Sequence, residues 1–244
     1  MSPSIRNLGS FVREQRNVAN LTQSELAKMV GISEETLSAI ERNKRPISRS
    51  VLTPLFTALG VEPEKIQAMT GLHAGVPVPA QVTPNPQELS ALEAIATPAC
   101  YQDIHTYRIV AANAAARVAL PGLAPGTSLV EWLMTDPRSR RVVGDWEKAA
   151  HGFVYSLKVL ALGAMEPEIS GPIIETCRRA PEWERMWNTR PVDPRPFDTL
   201  IHIHPETGVE REMYITSFAV QFPRSGWWLW MLSPVRESDS APAG

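Results

Sequence analysis

Through the first seventy residues, apolar side chains recur every three or four positions in short blocks separated by polar caps. Ile5, Leu8, Phe11 and Val12 form the first block, a spacing that puts them on one helical face. Thr22 precedes Gln23-Ser24-Glu25, an N-cap followed three residues later by glutamate, which is the pattern of a capping box. Leu26, Met29 and Val30 supply that helix's apolar face, and Gly31 stands where a left-handed turn residue would end it. Ser33 caps a third helix whose first turn holds Glu34 and Glu35, with Leu37 and Ile40 facing inward. A fourth helix is predicted from Ser48 or Ser50 to Gly60, with Pro54 in its first turn, and a fifth from Pro63 to Thr70.

The pattern changes at residues 73–97. His73 to Gln87 contains Pro77, Pro79, Pro84 and Pro86, which favour extended backbone and a semi-rigid linker. A short helix follows, Gln87 to Ala96. Residues 98–235 then alternate between strand and helix periods. Two strands, Ala99–Ile104 and Tyr107–Ala112, lead into a helix capped by Asn113. Further helices are expected over Ser128–Met134, Val142–Leu162, Ile169–Arg179 and Pro181–Trp187, the last with proline at its first position. Phe197–His204, Val209–Phe222 and Trp227–Leu232 read as consecutive antiparallel strands, the first pair joined by a turn at Pro205–Gly208. Two strands, a run of helices and three strands is the order of a PAS-like domain, a curved sheet with helices across one face and a cavity between. Residues 236–244 are small and polar and read as a disordered tail. The expected class is therefore an all-α N-terminal domain, residues 1–72, followed by an α+β domain.

Charge refines this only slightly. The chain carries a net −2, but residues 1–72 hold nine Lys/Arg against seven Asp/Glu and the remainder fifteen against nineteen. The mild basic bias matters through its placement: Arg42, Asn43, Lys44 and Arg45 directly follow the third helix. No apolar run approaches the length of a membrane span, and the N-terminus has no signal-like core. A cytoplasmic protein without a membrane partner is expected. Cys100 and Cys177 form no ligand-spaced cluster, and a disulfide is not expected in a reducing compartment.

A capped helix, a glycine turn and a second capped helix together form a DNA-reading device. The third helix presents its N-terminal residues to the major groove, which is wide enough to admit a helix. By position Glu34, Glu35 and Ser38 face base edges, and glutamate accepts a hydrogen bond from cytosine N4. Thr36 or Gln23 falls where phosphate is met near a helix N-terminus, Thr22 and Ser33 are further DNA-binding candidates, and Arg42–Arg45 follow where the backbone is gripped. Thr22-Gln23, Glu25-Leu26-Ala27, Gly31-Ile32-Ser33, Ile40-Glu41-Arg42 and Ser48 resemble the helix-turn-helix of Cro/repressor-like (XRE) regulators over residues 5–70. That resemblance implies double-stranded DNA, an operator, as the partner.

The C-terminal block resembles the ligand-binding domain of MmyB-like regulators over residues 98–234. The residues that carry it are ACYQDIHTYRIVAANAAA, SLVEWLMTDPRSR, Asp145-Trp146-Glu147, Glu182-Trp183 through Trp187, and the His204-Pro205 and Gly208 turn. The resemblance implies a domain holding a fatty-acid-like or other hydrophobic ligand; Tyr101, Trp132, Trp146, Phe153 and Trp187 are the candidate lining residues, and the domain is expected to make the contacts of a homodimer. An aromatic at helical spacing is more often packing than pocket. The opposing expectation is a packed C-terminal core that senses a partner protein through its tryptophan-bearing sheet. Members of the family commonly carry an arginine-rich stretch and a Tyr-Tyr pair in the helix-turn-helix; Gln23-Ser24-Glu25 and Glu35-Thr36 stand there instead, so the operator does not transfer.

Other chemistry is sparse. His202 and His204 share a strand face at a metal-compatible spacing, but no third ligand accompanies them. Cys100-Tyr101 offers no nucleophile–base pair, and there is no glycine-rich phosphate loop. No catalytic set, metal or cofactor is expected, and the chain reads as a transcription regulator rather than an enzyme.

Overall fold

A computed structural model describes residues 8–61, 83–103, 106–163, 167–192, 199–220 and 227–236. The chain divides into two units. One comprises residues 1–77 with 156–171, the other 78–155 with 172–244. The expected fifth helix, most of the linker, Ile104, Phe197, Phe222 and the tail beyond residue 236 lie outside the described residues.

Among the described residues the N-terminal segment of the first unit forms the helices α1 (Leu8–Val18), α2 (Gln23–Val30), α3 (Glu34–Glu41) and α4 (Arg49–Ala58). Phe11, Val12, Leu26, Leu37, Leu52, Leu55 and Phe56 are buried at its centre, with the Phe11 and Phe56 rings stacked 5.8 Å apart. The Thr22 capping box forms as expected, and Gly31 closes α2 at φ 74°, a left-handed conformation that favours glycine. Gly9 lets α1 approach the end of α3: a Cβ there would stand 1.9 Å from the Ile40 carbonyl oxygen. Pro54 is placed differently from expectation. Because α4 starts at Arg49, Pro54 is its sixth residue, past the first turn, where its missing N–H leaves the helix one bond short.

The second unit carries a five-stranded antiparallel sheet in the order β2-β1-β5-β4-β3. The strands are β1 (Ala99–Asp103), β2 (Ile109–Ala112), β3 (Thr199–Ile203), β4 (Glu210–Ala219) and β5 (Trp227–Pro234). Helix α5 (Pro86–Glu93), capped by Asn85, covers one face, where Leu92, Ala99, Tyr101, Ala111 and Trp227 cluster. The other face meets α6 (Ala114–Ala119), α7 (Leu129–Thr135), α8 (Ser139–Val142) and α9 (Trp146–Gly163). Helices α10 (Pro167–Cys177) and α11 (Trp183–Asn188) follow. Asn113 caps α6 and ties it to β1: its Oδ1 accepts from Ala116 N and Ala99 N, and its Nδ2 donates to the Ile95 and Thr97 carbonyls.

Two helix boundaries depart from expectation. The helix anticipated over Val142–Leu162 is interrupted, because Val143 bridges His202 and Gly144 N donates to Ile201 O at 2.7 Å, drawing this segment alongside β3. Pro181 lies in a turn ahead of α11, which begins at Trp183. Both α9 and α10 cross from one unit to the other along the chain. Within the first unit the α9 residue Lys158, whose side chain is 9% exposed, donates to Glu14 Oε1 of α1 at 2.5 Å.

Candidate DNA-reading surface and ligand cavity

Helices α1 and α3 are joined by a buried ion pair, to which α2 adds a hydrogen bond. Arg16 Nε donates to Glu41 Oε1 at 2.6 Å and its terminal nitrogen to Oε2 at 3.1 Å, while Gln23 Nε2 donates to Oε2 at 2.7 Å. The Glu41 side chain is 1% exposed, so its charge is balanced by Arg16 rather than by water. This fixes the tail of α3 against α1 and the head of α2. Ser33, extended at φ −73° and ψ 151°, accepts from Thr36 N and starts α3.

With these supports in place, the sequence-derived DNA candidates separate into two groups. Glu34 and Glu35 are exposed in the first turn of α3, Ser38 is half-buried one turn on, and Arg42, Lys44 and Arg45 are exposed beyond it. The others have internal work. Thr22 is committed to the α2 cap: its backbone N–H and then its hydroxyl, each 2.7 Å from Glu25 Oε2, hold the Glu25 carboxyl below its usual range. Gln23 is turned to Glu41. The Ser33 hydroxyl and Arg45 both donate to Thr36 Oγ1, at 3.0 and 3.1 Å. Asn43 takes φ 55° and returns to α1, accepting from Gly9 N at 2.8 Å and donating to Ser10 Oγ at 3.3 Å. Asn43, expected among the backbone-gripping residues, thus also joins α3 to α1, its amide supplying the partner for an otherwise open N–H at the start of α1. Arg42 Nε donates to Ser38 O, while Lys44 has no side-chain partner among the described residues.

The second unit contains a cavity of about 150 Å³ between the sheet and the helices. Leu129, Trp132 and Leu133 of α7, Phe153 of α9, Ile215 of β4 and Trp230 of β5 form its apolar wall. Asp145, Lys148 and Glu212 are exposed at its opening, joined by half-buried Thr199, whose hydroxyl donates to Glu212 Oε1 at 2.8 Å. Of the five aromatics expected there, Trp132 and Phe153 line the cavity and three do not.

Tyr101 is on the opposite face of the sheet. Cys100 pairs with Trp230 and Tyr101 with Leu229, so strand alternation sends Tyr101 toward α5, where its ring lies 5.6 Å from Trp227 and its hydroxyl donates to Glu88 O. Trp146 packs beside the cavity; its Nε1 donates to Leu133 O at 2.9 Å, and the Arg140 guanidinium lies 3.6 Å over its ring. Trp187 stacks on Trp183 at 4.9 Å.

The residues missed by sequence reasoning share a signal. Asp145, Lys148 and Ala149 line the cavity at spacings of three and four that run on to the expected Phe153, the stripe adjacent to Trp146. The two histidines serve the fold: His202 Nε2 bonds Ala119 O at 2.9 Å, and His204 Nδ1 accepts from Glu206 N and Thr207 N in the β3–β4 turn. No metal-ligating cluster occurs among the described residues, and none of the described helices is long and apolar enough to cross a membrane.

A glycine-hinged helix pair on one unit and a chambered α+β unit define a two-domain regulator of the helix-turn-helix class. Residues 12–66 match the Helix-turn-helix family model, and residues 85–243 match that of the MmyB-like transcription regulator ligand binding domain. The chain belongs to the MmyB-like transcription regulators. Over 64 residues it is 38% identical to an uncharacterized HTH-type transcriptional regulator of Mycobacterium tuberculosis, Rv0474, a match spanning 26% of this chain and 46% of that protein. Over 65 residues it is 34% identical to the control protein C.SmaI of Serratia marcescens, spanning 27% of this chain and 77% of that one. The chain thus spans about half the length of the mycobacterial relative.

Proposed function

We propose that this protein is a dimeric, sequence-specific DNA-binding transcriptional regulator whose C-terminal domain senses a hydrophobic, fatty-acid-like small molecule, and that it acts in the cytoplasm without catalytic activity of its own. The observation that carries the reading is α3. Its capped N-terminal turn exposes Glu34 and Glu35, Ser38 lies one turn further, and Arg42, Lys44 and Arg45 flank it. Ser38 and one of the two glutamates read base edges, the glutamate accepting from cytosine N4, and the cations meet phosphates. Two such helices in a dimer address half-sites roughly 34–36 Å apart on a near-palindromic operator. A ligand shifts the regulator only by binding its DNA-competent and incompetent states with different affinity.

Selection of bound sequences from a random duplex library, repeated with Glu34→Gln and Glu35→Gln, tests this. One of the two variants should relax preference at a single cytosine-bearing position. Unchanged preference in both removes the glutamates as readers, and absence of any bound duplex at low salt removes the reading. Light scattering should give a dimer; a monomer in the presence of operator would exclude the paired arrangement.

A further inference from the structure

The boundary between the two units falls inside a helix. Tyr155 closes the α9 segment of the second unit and Ser156 opens that of the first, yet α9 runs unbroken from Trp146 to Gly163. No glycine or proline stands between Phe153 and Gly163, so this stretch lacks the usual causes of a kink. Its two parts have different work. Lys148, Ala149 and Phe153 line the cavity. Leu157, Lys158 and Val159 are buried and belong to the first unit. The region that matches the ligand-binding family model thus gives residues 156–171 to the DNA-reading unit.

Lys158 is the only Asp, Glu, Lys or Arg of α9 after Lys148. Its side chain is 9% exposed and donates to Glu14 Oε1 of α1 at 2.5 Å. A buried ion pair adds little stability over apolar packing, but it tolerates few alternative arrangements of the elements it joins. Glu14 lies two residues before Arg16, whose guanidinium holds Glu41 at the end of α3. Five residues of helix, about 7.5 Å of rise, separate Phe153 at the cavity from Lys158.

From the continuity of α9 and the Lys158–Glu14 pair together, we propose that α9 carries the ligand signal. A molecule in the cavity displaces the helix at Phe153; Lys158 passes the displacement to α1 through Glu14, and Arg16 and Glu41 pass it to α3. Lys158 is a positioning residue and lines no part of the cavity. The proposal rests on the reading of the second unit as ligand-binding.

The test is the affinity of the full chain for its selected operator, with and without saturating dodecanoate. In the native protein dodecanoate should change operator affinity about tenfold. Lys158→Met should still bind both partners, with the change reduced to less than about twofold. Glu14→Gln, at a side chain that is 42% exposed, should do the same. The double exchange Glu14→Lys with Lys158→Glu should restore the response; no restoration would assign the effect to lost packing and overturn the role of the pair. A full response in Lys158→Met, or dodecanoate that binds the native protein without changing operator affinity, overturns the route through α9. Ala149→Phe, which puts a ring into the cavity from α9, tests that route without a ligand. It should change operator affinity about fivefold in the native background and not in Lys158→Met; an equal effect in both backgrounds, or none in either, overturns the proposal. Absence of dodecanoate binding beside a Lys158-dependent effect of Ala149→Phe would remove the fatty-acid-like ligand and support the route.

Discussion

At the scale of single residues, Glu41 has the greatest effect on the reading surface without being part of it. Its carboxylate is buried and satisfied by Arg16 and Gln23. Glu41→Ala leaves the Arg16 guanidinium, itself only 11% exposed, without its counter-charge; removing one partner of a buried pair costs about 3 kcal/mol. All seven tryptophans lie in the second unit, which provides a clean control. Circular dichroism of the full chain should show a lowered helical transition while the tryptophan-fluorescence transition stays in place. Coincident lowering of both would show that the damage is not confined to the first unit. The cysteines make a second residue-scale case. Burial pushes the Cys100 thiol up to about 12, and burial, with a smaller contribution from the Glu131 charge, does the same to Cys177. At pH 8 the thiolate fraction is on the order of one in ten thousand. The native protein should therefore be inert to a thiol-labelling disulfide reagent that titrates both cysteines after denaturation; rapid labelling of the native chain would contradict their enclosure.

At the scale of elements, α4 carries a defect that can be corrected. Pro54 is exposed and lies beyond the first turn, so it contributes little packing and removes one backbone hydrogen bond. Pro54→Ala should stabilise the first unit by about 1–3 kcal/mol, read as a higher denaturant midpoint by circular dichroism; an unchanged or lower midpoint would mean that proline's rigidity in the unfolded chain outweighs the lost bond. The same helix shows where sequence was informative and where it was not. The caps of α2 and α3 and the Gly31 turn were legible because each is local, a polar side chain answering an N–H three residues away. The start of α4 was not, because Ser48 and Ser50 are equally good caps on paper and the two hydroxyls simply bond each other at 3.0 Å. In the second unit the strands were legible from alternation, but which face met the cavity was not. Tyr101 shows why: a one-residue phase choice exchanges the two faces of β1, and the register that fixes the phase, Cys100 opposite Trp230, joins residues 130 positions apart. The break between α8 and α9 is also long-range, set by the pairing of Val143 with His202.

At the scale of the whole molecule, the low net charge makes DNA binding depend on a few cations rather than on a broad field. The chain as a whole is at −2, and the third helix is followed by only Arg42, Lys44 and Arg45. Each phosphate neutralised steepens the dependence of log affinity on log salt by about 0.9. Lys44 is the most direct probe, since Arg42 and Arg45 are tethered to Ser38 and Thr36 while Lys44 has no such bond among the described residues. Because the substitution is present once per protomer, its effect also counts protomers. Lys44→Ala should flatten the salt slope by about 1.8 if a dimer occupies the operator with both third helices, and by about 0.9 if a single copy binds. Base preference should be unchanged in either case, because phosphate contacts position the protein without reading sequence. Fluorescence anisotropy with a labelled operator across a series of salt concentrations measures both quantities. A slope unaffected by Lys44→Ala would remove this lysine from the phosphate contacts, and altered base preference would place its ammonium in the groove instead.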